Sequence, residues 1–130
     1  MRINPAVSET GAGVGLGTTI NVPTAMGTPR AEYLASFRFE LEKLSDRVRP
    51  QLVLVSAGFD SHRDDPVGSL GLETEDFIDL TRTVLDVAKV HASGRVVSVL
   101  EGGYNPSILA GCVEAHLREM MGGSNTTEAE

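Results

Sequence analysis

The stretches LVLVSAGFD at residues 52–60 and VVSVLEGGYN at residues 96–105 decide the fold. The first five residues of each stretch form an almost continuous apolar run, which is the pattern of a parallel strand buried on both faces. Between them Thr74 stands as a helix cap, and apolar residues recur at helical spacing from Phe77 to Ala88. The order predicts two parallel strands joined by a helix.

The same alternation of strand and helix extends to both sides of this unit. A β-branched run at residues 18–22 predicts another strand, and apolar residues at steps of three and four predict a helix between Thr28, its expected cap, and Pro50. Asn105 caps a third predicted helix that ends at Gly122. The fold class is therefore α/β, a parallel sheet flanked by helices. A three-stranded sheet has at most one central strand, whereas two of these strands have the pattern of burial on both faces. The chain is therefore expected to be the end of a larger α/β domain or to bury its apolar surface against a partner.

Composition limits the class of protein. The chain has 130 residues, which allows one domain or part of one, and its net charge of −7 without a basic block argues against binding nucleic acid. Its apolar runs are too short to span a membrane, and its first residues lack the apolar core of a signal peptide, so a cytoplasmic location is expected. The single cysteine, Cys112, excludes an intrachain disulfide and is expected in the core.

Chemistry is expected where the strands end, since ligands of open parallel sheets bind outside the carboxyl ends of the strands. The first loop carries Asp60, His62, Asp64 and Asp65, whose oxygen and nitrogen atoms suit a divalent metal ion. Asp60 and His62 are spaced as a ligand pair, although these residue types also stabilise turns. In the second loop the phenol of Tyr104 could stabilise an oxyanion or only pack its ring. If the strands are neighbours, Asp60 and Tyr104 share one crevice.

Two histidines outside these loops favour structural roles. His91 falls at the end of the second predicted helix, where a partial positive charge stabilises the helix terminus. His116 lies near the inner side of the third helix and is expected to be a hydrogen-bonded core or boundary residue.

Both loops resemble the zinc-dependent histone deacetylase family, in its class II-like branch that also includes bacterial acetylpolyamine amidohydrolases. VLVSAGFDSHRDDPVG at residues 53–68 and VSVLEGGYN at residues 97–105 carry the resemblance, and residues 11–23 share it. It implies the C-terminal portion of a larger three-layer α/β/α domain with an arginase-like fold. Residues 1–123 would form this partial domain, and residues 124–130 a polar disordered tail.

The resemblance implies a role for each matching residue. Asp60 corresponds to a zinc ligand, and the hydroxyl of Tyr104 to the group that polarises the amide carbonyl and stabilises the oxyanion. His62 has no counterpart among the family's zinc ligands, so its pairing with Asp60 is not expected. Three more residues match the wall of the tunnel that holds the acyl-lysine: Val67, Gly102 and Gly103.

Two parts of the family's site have no counterpart in these residues. The family takes two more zinc ligands from an Asp-x-His motif and its general acid and base from a His-His pair, whereas here the only Asp-x-His is residues 60–62 and no His-His occurs. The first interpretation is a C-terminal fragment of a zinc-dependent deacetylase of acetyl-lysine or acetylpolyamine, inactive as this chain alone.

Two other interpretations stay open. One is a non-catalytic α/β module or remnant that pairs with another chain or with itself through an exposed sheet edge. The other is a self-contained metal site formed by Asp60, His62, Asp64 and Asp65.

Overall fold

Two parallel strands form the sheet of the structure, a computed structural model that describes residues 8–122. Strand β1 spans Val53–Ala57 and strand β2 spans Val96–Leu100. They are direct neighbours, with Val53 opposite Val96 and Ala57 opposite Leu100. The predicted β–α–β unit is therefore confirmed, while the predicted tail at residues 124–130 lies outside the described residues.

Three helices accompany the sheet. Helix α1 spans Arg30–Val48, helix α2 spans Thr74–His91 and helix α3 spans Pro106–Met120, so all three predicted helices are confirmed. Helix α2 packs against both α1 and α3. Among the described residues, none of these helices combines the length and the apolar character that crossing a membrane requires.

The helix caps follow the prediction at only one of three helices. The Asn105 side chain accepts the Ser107 N–H at 3.2 Å and caps α3 as expected. The Thr28 hydroxyl instead donates to a carbonyl three residues earlier, so it does not cap α1. At α2 the cap position is Glu73, and the Thr74 hydroxyl lies near a cysteine sulfur of α3. The threonine predictions were wrong because a hydroxyl bonds the nearest available group, which the local sequence does not fix.

The predicted strand at residues 18–22 is wrong. This segment pairs with no strand of the described part of the chain. Its side chains bond to the preceding loop: Asn21 Nδ2 donates to the Glu9 carbonyl at 3.1 Å, and the Thr18 hydroxyl donates to the Gly15 carbonyl at 2.6 Å. β-Branched residues favour extended backbone, but a strand also needs a neighbour that exchanges ladder hydrogen bonds with it.

The described residues cover only one of the two faces of the sheet. Val55 and Ala57 face a core that receives side chains from all three helices. On the opposite face Leu54, Val97 and Val99 are 71%, 48% and 56% exposed. The expectation of strands buried on both faces is therefore wrong for residues 8–122. A continuous apolar run indicates that a strand is suited to burial on both faces, but it does not show that residues of the same chain segment bury both of them.

His116 is a buried, hydrogen-bonded histidine, as predicted. The Thr81 hydroxyl donates to the Phe77 carbonyl at 2.6 Å, which leaves its oxygen to accept from His116 Nδ1 at 2.7 Å. Nε2 is then the acceptor for the Ser98 hydroxyl at 2.9 Å, so the ring joins α2, α3 and β2. Burial lowers the pKa of His116, in keeping with a neutral ring.

The other two structural predictions concern Cys112 and His91. Cys112 is fully buried in the core, as expected, and burial raises the pKa of its thiol. His91 ends α2, and its Nε2 lies 3.2 Å from Asp46 Oδ1, so it links α2 to α1.

Candidate functional site

The loops after β1 and β2 leave the same edge of the sheet and run side by side. Two backbone hydrogen bonds continue the pairing beyond the strands: Glu101 N–H donates to the Ala57 carbonyl, and Phe59 N–H donates to the Gly102 carbonyl, both at 2.9 Å. The segments that carry Asp60 and Tyr104 are therefore brought to one edge, as their positions after parallel neighbouring strands predict.

The carboxylate of Asp60 lies over the backbone of the two glycines beside it. A Cβ atom at Gly102 would stand 3.0 Å from both Cγ and Oδ1 of Asp60, and one at Gly58 would stand 3.2 Å from Oδ1. The absence of side chains at these two positions leaves the space that the carboxylate occupies. Asp60 is further fixed through its own carbonyl, which accepts the Ser69 N–H at 2.9 Å.

Tyr104 combines a fixed backbone with a half-exposed ring. Its side chain is 55% exposed, whereas its N–H donates to Asp65 Oδ2 at 2.8 Å. Gly103 before it has a φ of +136°, a conformation that favours glycine. A Cβ atom there would also stand 2.6 Å from Leu109 Cδ1 of α3. The chain can thus pass close to α3 and present the tyrosine at the sheet edge.

The three residues expected to line a tunnel occupy different positions. Val67 is 69% exposed on the first loop. Gly102 borders the Asp60 carboxylate, and Gly103 borders α3. The structure therefore brings Gly102 next to Asp60 and leaves Val67 open at the surface.

Asp65 joins the two loops, and its role was missed in the sequence. It is only 5% exposed, and its Oδ1 accepts the N–H groups of Val67 at 2.8 Å and Gly68 at 3.0 Å. Its Oδ2 accepts the Tyr104 N–H. Burial raises the pKa of Asp65, but the three N–H donors outweigh burial and hold that pKa below its usual range. An Asp that begins a turn often accepts N–H groups two or three residues on, so the bonds of Asp65 to Val67 and Gly68 could have been predicted from the sequence.

Tyr33 is a second residue near the site that the sequence did not single out. Burial raises the pKa of its phenol, a hydrogen bond with Ser61 opposes that change, and the charge of Asp60 adds to it. Tyr33 of α1 therefore lies close to the Asp60 segment, on the covered side of the sheet.

His62 does not serve the site as a free ligand. It is 3% exposed, its Nδ1 accepts the Asp64 N–H at 3.1 Å, and its ring stacks on Phe77 with centroids 6.4 Å apart. In the described part of the chain, no three His, Cys, Asp or Glu side chains lie together as a metal site would need. The interpretation of a self-contained metal site at residues 60–65 is therefore wrong, because the ring and the Asp65 carboxylate are engaged elsewhere.

Asp60 fits the role of one ligand of a zinc ion. A carboxylate at the end of a parallel strand, partly exposed and bordered by glycines, suits a zinc ligand. A catalytic zinc takes three protein ligands, and residues 8–122 do not bring three together. These residues can contribute to a zinc site but do not form one by themselves.

Comparison with known proteins identifies the family. A family model described as the histone deacetylase domain matches residues 3–120. Type-2 histone deacetylase 1 of Dictyostelium discoideum is 40% identical over 101 residues, 78% of this chain, and human polyamine deacetylase HDAC10 is 42% identical over 113 residues, 86% of this chain. The crystal structure of the HDA15 HD domain superposes with a TM-score of 0.81 and 27% identity over 94% of this chain.

The match covers only part of each relative. It spans 7% of the Dictyostelium protein and 16% of human HDAC10. It spans 34% of the solved HDA15 chain, so the α/β arrangement described above is one part of the deacetylase fold. The family expected from the two loop motifs is confirmed: the chain belongs to the histone deacetylase family.

Proposed function

We propose that this chain is the C-terminal part of a zinc-dependent, cytoplasmic deacetylase domain that, when complete, hydrolyses the N-acetyl amide of a lysine or a polyamine. The observation that carries the proposal is that the loops of Asp60 and Tyr104 lie side by side at one edge of the sheet. The Asp65 carboxylate holds them there, because it accepts the N–H groups of both Tyr104 and Val67. Membership of the histone deacetylase family supports the reaction class, and relatives named as histone and polyamine deacetylases support both substrate classes.

Each site residue has a distinct role in this proposal. Asp60 provides one ligand to zinc, which when bound supplies a Lewis acid for the amide carbonyl. The Tyr104 hydroxyl donates a hydrogen bond to the same carbonyl oxygen as it gains negative charge. Val67, Gly102 and Gly103 contribute to the wall that holds the acyl group. A net charge of −7 suits an acetylpolyamine substrate, whose remaining free amines are cationic.

The purified chain is expected to show no zinc-dependent hydrolysis of an acetyl-lysine peptide or an acetylated polyamine. Within residues 8–122 it offers one proposed zinc ligand at the site, and its sequence has no paired histidines to move protons. The measurement is product release with zinc added, beside a complete deacetylase as the positive control. Zinc-dependent turnover that disappears in Tyr104→Phe would contradict the proposed inactivity of the chain alone.

The exposed sheet face favours the second candidate, a module that pairs with another chain. Leu54, Val97 and Val99 form an apolar strip on the uncovered face, and such strips mark contact surfaces.

We expect the chain to elute as a dimer or larger species in size-exclusion chromatography. The double variant Leu54→Thr, Val97→Thr places a β-branched side chain, which suits a strand, at both positions and should shift the chain to monomer. The control Val90→Thr, on an exposed position of α2, should not. A stable wild-type monomer would count against pairing.

A further inference from the structure

We propose that Asp65 is a positioning residue, which fixes the backbone of Tyr104 relative to the loop that carries Asp60. This inference rests on the proposed roles of Asp60 and Tyr104 and adds a residue that touches neither substrate nor metal. Its action is through the Tyr104 main chain.

The first argument is that one carboxylate bonds to both loops at once. Oδ1 holds the N–H groups of Val67 and Gly68 in its own loop, and Oδ2 holds the N–H of Tyr104, 39 residues away. The group is 5% exposed, so water does not readily replace these partners. Loss of the carboxylate would leave three N–H groups without their acceptor and remove the bond that fixes the Tyr104 backbone to the first loop.

The second argument is that the site requires a group that only accepts. All three partners of Asp65 are N–H donors, and an ionised carboxylate offers acceptors alone. An asparagine of the same shape would point an NH₂ at one of these donors. If the carbonyl stays with the two donors of its own loop, the NH₂ faces the Tyr104 N–H and this bond is lost.

The neighbouring Asp64 provides a matched control for a test of this bond. The Asn105 side chain also ties the loops, but it donates to the Asp64 backbone carbonyl at 2.8 Å, which a side-chain substitution leaves in place. The Asp64 carboxylate itself is 59% exposed and lies 3.9 Å from Arg63. Asp64→Asn therefore removes the same charge one residue away without touching the Tyr104 link.

The test is residue-resolved amide hydrogen exchange, followed by NMR, on the chain as it stands. In Asp65→Asn the Tyr104 amide should exchange about tenfold faster or more, the effect of losing one buried hydrogen bond. The amide of Ala88, fully buried in α2, should keep its rate, and Asp64→Asn should change neither. Unchanged exchange at Tyr104 in a folded Asp65→Asn variant would overturn the proposal.

A second measurement decides the case in which Asp65→Asn unfolds and all amides exchange faster. In the wild-type chain, replacing the Tyr104 amide proton by deuterium should shift the ¹³C resonance of the Asp65 carboxylate, and replacing that of Ala88 should not. An unmoved resonance would overturn the link. Neither measurement needs zinc or turnover, so the positioning role can fail while the proposed function stands, and the reverse.

Discussion

Tyr104→Phe should lower kcat about a hundredfold or more in a complete domain, the effect of removing one oxyanion donor. The domain is made by joining this chain to the N-terminal part of a relative's deacetylase domain. The reason is that a phenylalanine keeps the ring and the Asp65-bound backbone but loses the hydroxyl that would donate to the carbonyl oxygen. The measurement is steady-state hydrolysis of an acetyl-lysine peptide, with kcat and KM determined separately.

Zinc content separates this effect from a damaged metal site. The Tyr104→Phe domain should bind zinc as the parent does, because the phenol is not proposed as a ligand. Asp60→Asn should lose zinc, and Asp64→Asn, whose carboxylate is exposed, should keep it. A Tyr104→Phe domain with an unchanged kcat would remove the tyrosine from the chemistry.

Gly68→Ala should destabilise the chain by about 3 kcal/mol, the upper part of the range for overpacking. A Cβ atom at Gly68 would overlap the carbonyl carbon and oxygen of Asp60, and backbone atoms cannot rotate away as a flexible side chain would. The same residue donates its N–H to Asp65 at 3.0 Å, so a shift that relieves the overlap strains that bond. The measurement is the free energy of unfolding in urea.

Gly111→Ala is the matched control for this substitution. Gly111 lies within α3, and a Cβ atom there meets nothing within 4 Å. Alanine should therefore stabilise the chain by up to about 1 kcal/mol through its higher helix propensity. Equal effects of the two substitutions would show that the overlap at Gly68 is relieved without cost.

Elements bounded by a clear change of pattern were predictable from the sequence. The apolar runs of β1 and β2 and the cap of α3 at Asn105 are local features, and the structure has them as predicted. Residues 18–22 were not predictable in the same way, because a strand is made by its neighbour as much as by its own β-branched residues. The exposed side of Leu54 and Val97 has the same cause, since burial depends on what lies opposite.

The candidate site divides along the same line. Parallel neighbouring strands bring the residues after them to one edge, so the meeting of the Asp60 and Tyr104 segments followed from topology. The bond from Asp65 to the Tyr104 backbone did not, because no local pattern reports a contact across 39 residues. His62 shows the limit of spacing alone: its separation from Asp60 suits a ligand pair, but the family resemblance gives it no such role, and its ring stacks on Phe77.

The bond between Asp65 and Tyr104 also bears on how sequences of relatives can be recombined. Because the donor is the backbone N–H of Tyr104, which every residue except proline has, an exchange of residues 101–105 keeps the donor, whereas an exchange of residues 60–68 keeps the bond only if the incoming loop has a carboxylate at position 65. Crossover points placed before Gly58 or after α3 keep both loops from a single parent. Libraries cut between the two loops lose the bond only where the parent of the first loop lacks this carboxylate.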